Sequence, residues 1–336
     1  MKRFLAGLAA ACLVAALAAG HYWVRMDRYR GFSAPVFVEI PKGTSSLRIG
    51  EMLAETGVVR HPLLFLAARL MRPAAKPQAG EYYFTEAATA AAVFGRIARG
   101  DIYTVELRVP EGSNVFDIGQ LVEHAGFGPA REFVRNALAD EGFLFPSTYH
   151  FRRNATGETV RKAMQAQFDK VWEELGAPDA SRRDVVTLAS LVETEAVLEE
   201  ERARIAGVYA NRLRRGMKLE CDPTVEYAAI LEGRWHGVIH KSDLASRNRY
   251  NTYQHAGLPP GPVANPGLAS LKAALRPQKT GELYFVARPD RSGGHVFSAE
   301  YGGHQKAVAS YRNGERQANQ KSQRDRVAAK KGRGAR

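Results

Sequence analysis

The rhythm of apolar positions changes several times along the chain. Phe4–Gly20 is an unbroken apolar run behind Met1-Lys2-Arg3, and His21-Tyr22-Trp23-Val24 leads from it into a charged stretch at Arg25. As a helix, Phe4–Val24 would reach about 31 Å at ~1.5 Å per residue, enough for a hydrocarbon core of ~30 Å. Tyr22 and Trp23 stand where interfacial aromatics belong. A cleaved signal peptide fits Lys2-Arg3 and the Ala16-Leu17-Ala18 triplet. A retained anchor fits the length and the aromatics, and is the preferred reading. On either reading the body of the chain crosses the membrane.

The next segment carries a repeat. A shift of 69 positions places Val38-Glu39-Ile40-Pro41-Lys42-Gly43-Thr44 on Leu107-Arg108-Val109-Pro110-Glu111-Gly112-Ser113. The same ungapped shift brings Ile49-Gly50 onto Ile118-Gly119, Met52-Leu53 onto Leu121-Val122 and Gly57 onto Gly126. Each copy alternates like a strand, turns at Pro-x-Gly-[Ser/Thr] into a helix cap, and continues as a short helix stopped by glycine. Apolar periodicity at Leu63–Leu70 and Phe133–Leu138 predicts a second helix in each copy. Gly80–Phe84 reads as a strand and Ala87–Ala98 as a helix.

After Asn136 the texture changes again. Glu141–Pro146 is an apolar turn, Val160–Leu175 an amphipathic helix, and Asp184–Arg215 a long helical pattern broken near Ala196–Glu199 and stopped at Gly216. A region punctuated by Pro, Gly and Asn follows: Cys221-Asp222-Pro223-Thr224, Asn251-Thr252-Tyr253, Gly257–Gly261 and Asn265-Pro266-Gly267. Leu283–Val286 and His295–Phe297 form a hairpin around a turn at Pro289–Gly294. Ordered loops of this composition are where binding sites tend to lie.

Composition sharpens this outline. The 336 residues are 45% hydrophobic and 25% charged, which is globular and excludes collagen-like, coiled-coil and wholly disordered classes. Of two cysteines, Cys12 lies in the apolar run, so Cys221 alone remains for the body and no disulfide framework or cysteine zinc site is available. The stretch from Arg312 to Arg336 carries +7 of the net +13 with almost no apolar content, and reads as a basic disordered arm. Export of the body argues against nucleic acid as the partner of that arm.

Motif-bound chemistry is sparse. The chain has no G-x-G-x-x-G, no Walker loop, no H-E-x-x-H and no G-x-S-x-G, so nucleotide, zinc-protease and serine-hydrolase readings lack support. His236 and His240 have i,i+4 spacing, but Gly237 and mixed surroundings favour a surface or packing role over a metal pair. Glu193 and Glu195 follow an apolar helical stretch, Leu188–Val192, where desolvation would lift a carboxyl toward the range of a general acid, while composition alone favours a solvated helix face. Periodicity gives both apolar neighbours and does not separate them.

The ordered blocks Ala189–Glu195, Asn211-Arg212-Leu213, Asp222-Pro223-Thr224-Val225, Asn251-Thr252-Tyr253, Gly257-Leu258-Pro259-Pro260-Gly261, Asn265-Pro266-Gly267, Leu283–Val286 and His295-x-Phe297 resemble the endolytic murein transglycosylases, the YceG-like family. The likeness spans roughly Val36 to Tyr311. It implies an α+β fold: a cytoplasmic tip and membrane helix at 1–24, a linker at 25–35, LysM-like modules at 36–104 and 105–140 and a mixed α+β catalytic domain at 141–311, with the basic tail at 312–336 outside the resemblance. It also implies a single-pass protein of the cell (inner) membrane with its catalytic body on the periplasmic side. The family's catalytic glutamate, the first of its Glu-x-Glu pair, falls on Glu193. Asp222, Thr224, Tyr227, Asn251 and Tyr253 are the candidates for holding glycan and stabilising charge at C1. For Asp222 a plain helix start, with Pro223 in the first turn, competes evenly. The chain departs from the family pattern at Ser147, where Asp is usual, and at Glu220-Cys221.

The implied reaction cleaves the bond between N-acetylmuramic acid and N-acetylglucosamine without water. Glu193 would protonate the glycosidic oxygen, then deprotonate the C6 hydroxyl that closes on C1 as a 1,6-anhydro end. The sugar supplies the nucleophile, so the paired carboxylates of ordinary glycosidases are not required, and no cofactor or metal is expected. Peptidoglycan strands are the expected substrate and the cell-wall elongation synthases the expected partners. Two alternatives stand: a muramidase-type hydrolase using Glu195 or Asp222 as second carboxylate, and a non-catalytic peptidoglycan tether. An aminodeoxychorismate-lyase reading is set aside, because it needs a Schiff-base lysine and a cytosolic fold for pyridoxal phosphate.

Overall fold

A computed structural model describes residues 2–177 and 181–333. The chain opens with α1 (Lys2–Arg25), of which Gly7–Arg25 is long and apolar enough to cross a bilayer. This is compatible with a single-pass anchor. The body forms two compact units, one made of the chain up to Val105 with His150–Arg153, the other of Glu106–Tyr149 with the chain from Asn154.

In the first unit β1 (Val36–Ile40) is followed by α2 (Ser46–Glu55), α3 (Pro62–Leu70), β2 (Gly80–Phe84) and α4 (Ala90–Arg99). The two strands pair antiparallel with Val38 opposite Tyr82. Val38, Ile49, Leu53, Phe65, Tyr82, Phe94 and Ile97 are buried between the ribbon and the helices. Each such side chain contributes about 1.5–3 kcal/mol relative to exposure. The expected linker at 25–35 is instead part of this unit. Tyr29 bridges to Ala88, and Phe32 packs in the core beside Val24 from the end of α1. Apolar side chains within a short connector find the same core as the strands do.

The second copy of the repeat is β3 (Val105–Arg108), α5 (Val115–His124), α6 (Ala130–Ala137) and β4 (Thr148–Phe151), the same strand–helix–helix–strand order. The correspondence reaches single hydrogen bonds. Thr44 and Ser113 each donate a hydroxyl back to the carbonyl of the repeat's proline, Pro41 and Pro110. Gly43 and Gly112 take φ values of 86° and 79°, and Ser45 and Asn114 cap the helices that follow. The cap thus lies one residue beyond the expected Ser/Thr. The second copy closes only at β4, past the expected end at 140, and the boundary drawn between 140 and 141 falls inside a single compact unit. The apolar Phe143 and Phe145 pack on the same core as the later helices, which is why this segment does not form a module of its own.

The remainder is largely helical: α7 (Gly157–Glu174), α8 (Arg182–Glu195), α9 (Arg202–Arg214), α10 (Asp222–Leu231), α11 (Lys241–Leu244) and α12 (Leu268–Leu275). The hairpin β5 (Tyr284–Ala287) and β6 (His295–Ser298) then leads to α13 (Tyr301–Arg333). α8 is the central helix. Every residue from Val186 to Val192 is buried, so this segment is enclosed on all sides, as a core helix must be. Its polar members are satisfied internally, with Ser190 donating to the Thr187 carbonyl at 2.8 Å and accepting the Val263 N–H at 3.1 Å.

The arm expected to lack structure from Arg312 onward is helical through Arg333. Stacking of Tyr284 on His304 fixes the first turn of α13. Ala, Lys, Gln and Arg then propagate a helix readily once it has been nucleated. Residues 334–336 lie outside the described residues.

Candidate active site

Glu193 occupies the last turn of α8. The helix stops at Ala196, and a single turn at Glu199–Glu201 redirects the chain into α9, returning Arg202 to within reach of Glu193. Arg202 donates to Glu193 Oε1 at 3.1 Å and to Ser270 Oγ at 3.1 Å. The other carboxylate oxygen, Oε2, accepts the backbone N–H of Gly267 at 2.9 Å. Gly267 caps α12, so Glu193 meets the positive end of that helix. Its side chain is only 5% exposed.

A cleft of about 310 Å³ adjoins this group, lined by Glu111, Glu199, Arg202, Leu268, Ala269 and Lys272. Glu111 enters from the Pro-x-Gly turn of the second repeat. Its carboxyl overlaps the place where a side chain on Gly267 would begin, and the neighbouring Gly112 would place a Cβ 3.6 Å from Glu193 Cγ. Partial burial and then the charge of Glu193 push the Glu111 carboxyl above its ordinary range. The cleft thus combines the acidic Glu111 and Glu199 with two cations, Arg202 and Lys272.

Glu195 goes elsewhere. It accepts from the Cys221 thiol at 3.3 Å and from the Tyr209 hydroxyl at 3.4 Å, and burial pushes its carboxyl upward. Helical geometry turns the two glutamates onto different faces, a distinction that apolar periodicity alone does not make.

Neither Glu193 itself nor the five expected glycan contacts are among the residues lining this cleft. Thr224, fully buried, donates to the Cys221 carbonyl and pairs with the Thr252 hydroxyl. Asn251, also fully buried, donates its amide to the carbonyls of Asp243, Leu244 and Ser246, holding that loop. Tyr227, 2% exposed, donates to Glu141. For these three the polar groups are consumed inside the protein. Asp222 begins α10 and accepts from the Tyr253 hydroxyl at 2.6 Å. The helix-start reading of Asp222 therefore holds, and its exposed carboxylate is tied to Tyr253.

Sequence reasoning missed Glu111, Arg202, Glu141 and the Gly267 N–H. For Glu111 a signal exists: the first copy has Lys42 at the equivalent turn position, so the two copies differ in charge at a point where their backbones agree.

A Glu193 carboxylate held between an arginine and a helix cap, beside a cleft that Arg202 and the second repeat's Glu111 line, defines the class. The chain belongs to the YceG-like family, which matches residues 38–310. It is 31% identical over 309 residues to the endolytic murein transglycosylase of Bacillus subtilis (strain 168), covering 82% of this chain and 84% of that protein. It is 28% identical over 311 residues to the endolytic murein transglycosylase of Streptococcus pneumoniae serotype 2, covering 79% of this chain and 56% of that protein. Among solved structures, a YceG-like protein from Listeria monocytogenes aligns over 81% of this chain and 98% of its own, with a TM-score of 0.52 and 29% identity.

Proposed function

We propose that this chain is a peptidoglycan lytic transglycosylase that cuts glycan strands internally, between N-acetylmuramic acid and N-acetylglucosamine. The observation that carries the reading is the buried Glu193 carboxyl, bound by the Gly267 N–H and by Arg202, which itself lines the adjoining cleft. In the proposed cycle Glu193 gives its proton to the glycosidic oxygen as the C1–O bond breaks. The carboxylate that remains has both oxygens met by fixed donors, which stabilise it without reorganisation. It then takes the proton of the muramoyl C6 hydroxyl as that oxygen closes on C1, and the enzyme is restored. No water is consumed.

Glu195 is engaged with Cys221 and Tyr209, and Asp222 with Tyr253, so neither is free to serve as the second carboxylate of a hydrolase. The two strand–helix–helix–strand copies are LysM-like in this reading, and α1 anchors the protein in the cell membrane with the body on the periplasmic side. Cutting nascent strands there would place it beside the elongation synthases. The test is digestion of purified peptidoglycan by the protein and by Glu193→Gln, with mass spectrometry of the muropeptides. Anhydro ends from the wild type alone support the reading; reducing ends, or an active Glu193→Gln, overturn it.

A further inference from the structure

Behind the cleft lies a buried carboxyl that the cycle above does not use. Glu141, 4% exposed, precedes β4. Its Oε2 accepts the Val115 N–H at 2.9 Å and the Tyr227 hydroxyl at 3.0 Å, and its Oε1 accepts the Asn265 side-chain amide at 2.8 Å. Asn265 is fully buried and satisfied. Its amide also donates to the Ser113 carbonyl at 3.0 Å, its Oδ1 accepts the Leu144 N–H at 2.9 Å, and its backbone exchanges hydrogen bonds with Ser113 and Gly112 at 3.0 Å each. Two residues further on, Gly267 donates to Glu193.

One short path therefore joins the two glutamates: Glu141 to Asn265, along the backbone to Gly267, and across to Glu193. The same Asn265 holds the turn that carries Glu111 and Gly112. Three donors converge on Glu141, an arrangement that favours its carboxylate form. A protonated Glu141 would turn an O–H toward one of these donors and release it. The remaining titratable groups that face it are Tyr227 from α10, Tyr250 from the loop after α11 and Asp117 from α5. Among the described residues no cation pairs with Glu141.

We propose that Glu141 is a positioning residue of the transglycosylase: as a carboxylate it locks Asn265, and through it the Gly267 N–H and the Glu111–Gly112 turn, against Glu193. The inference rests on Glu193 as the catalytic carboxyl. Burial raises the Glu141 carboxyl to about 7, while the Val115 and Tyr227 hydrogen bonds hold it down. Its protonation then unlocks the site within the neutral range, as an acid limb in the pH profile of turnover.

The experiment uses the full chain and purified peptidoglycan, with kcat and KM measured across pH 5–9 (a range of about that width brackets the limb). Tyr227→Phe removes one donor to the carboxylate, so the acid limb moves to higher pH. Glu141→Gln abolishes that limb and lowers kcat by ~10²-fold, the scale of a ~1 Å misplacement, with KM little changed. An acid limb that keeps its position in Tyr227→Phe, in a protein whose Glu193→Gln variant is inactive, overturns the role of Glu141 alone. An active Glu193→Gln overturns the functional reading beneath it. Tyr227→Phe decides the matter even where Glu141→Gln fails to fold, because it leaves the buried carboxyl in place.

Discussion

Gly267 and Glu111 are mutually exclusive above a certain size: the Glu111 carboxyl fills the position a Cβ on Gly267 would take. The backbone of Gly267 has φ −77°, which any residue adopts, so the glycine is required by its neighbour and not by its conformation. Gly267→Ala is expected to fold and to displace the flexible end of Glu111 from the cleft. Measured kcat/KM should fall in Gly267→Ala and in Glu111→Ala, and the double variant should lose no more than either single one. Additive losses would show that the two residues do not act through this contact.

Arg202 compensates a carboxylate that is nearly sealed from solvent and also holds Ser270. Removing one member of a buried pair typically costs 3–5 kcal/mol, so Arg202→Ala should lower stability by roughly that amount. Arg202→Lys has one point charge where two directed donors are needed, and should restore stability only partly. Chemical denaturation of both variants checks the order.

The raised Glu141 carboxyl has a signed effect on stability. With its folded value near 7 and an unfolded value near 4.5, the native state binds the extra proton between these limits. Its stabilising contribution is full below about pH 4.5 and is lost as pH rises through about 7, about 3 kcal/mol over that window. Glu141→Gln should flatten this slope. Denaturation midpoints of wild type and variant at pH 5 and 7.5 measure the difference, and parallel slopes would refute the assignment. The form of Glu141 that positions the site is thus the less stable one, the usual direction of a compromise between activity and stability.

Cys221 is fully buried beside Glu195, and burial together with that carboxylate pushes its thiol well above the ordinary range. In native protein an alkylating reagent at pH 8 should leave Cys221 unmodified, and reaction should begin with unfolding. Mass spectrometry of peptides after timed labelling checks this.

Much of the fold was legible because the signals were local. The 69-residue repeat, the glycines at 43 and 112, the helix break after Glu195 and the hairpin at Leu283–Phe297 each follow from a few adjacent residues. Glu193 was singled out through its motif. What surrounds it was not, since Glu111, Arg202 and Gly267 approach it from separate elements and share no sequence spacing. Tyr227, Thr224 and Asn251, expected as glycan contacts, have their polar groups engaged inside the protein for a related reason. A polar side chain in a loop-rich region looks available until the interior donors and acceptors it satisfies are known.

The closing of the second copy at β4, with its turn latched to Asn265, divides the fate of a duplicated motif. The copy carrying Lys42 could be exchanged for another small module, and a designer would need only to preserve its own core. The copy carrying Glu111 cannot be traded in that way. Replacing it would mean rebuilding the surroundings of the Glu193 carboxyl, so that half of the duplication has become hostage to another part of the chain.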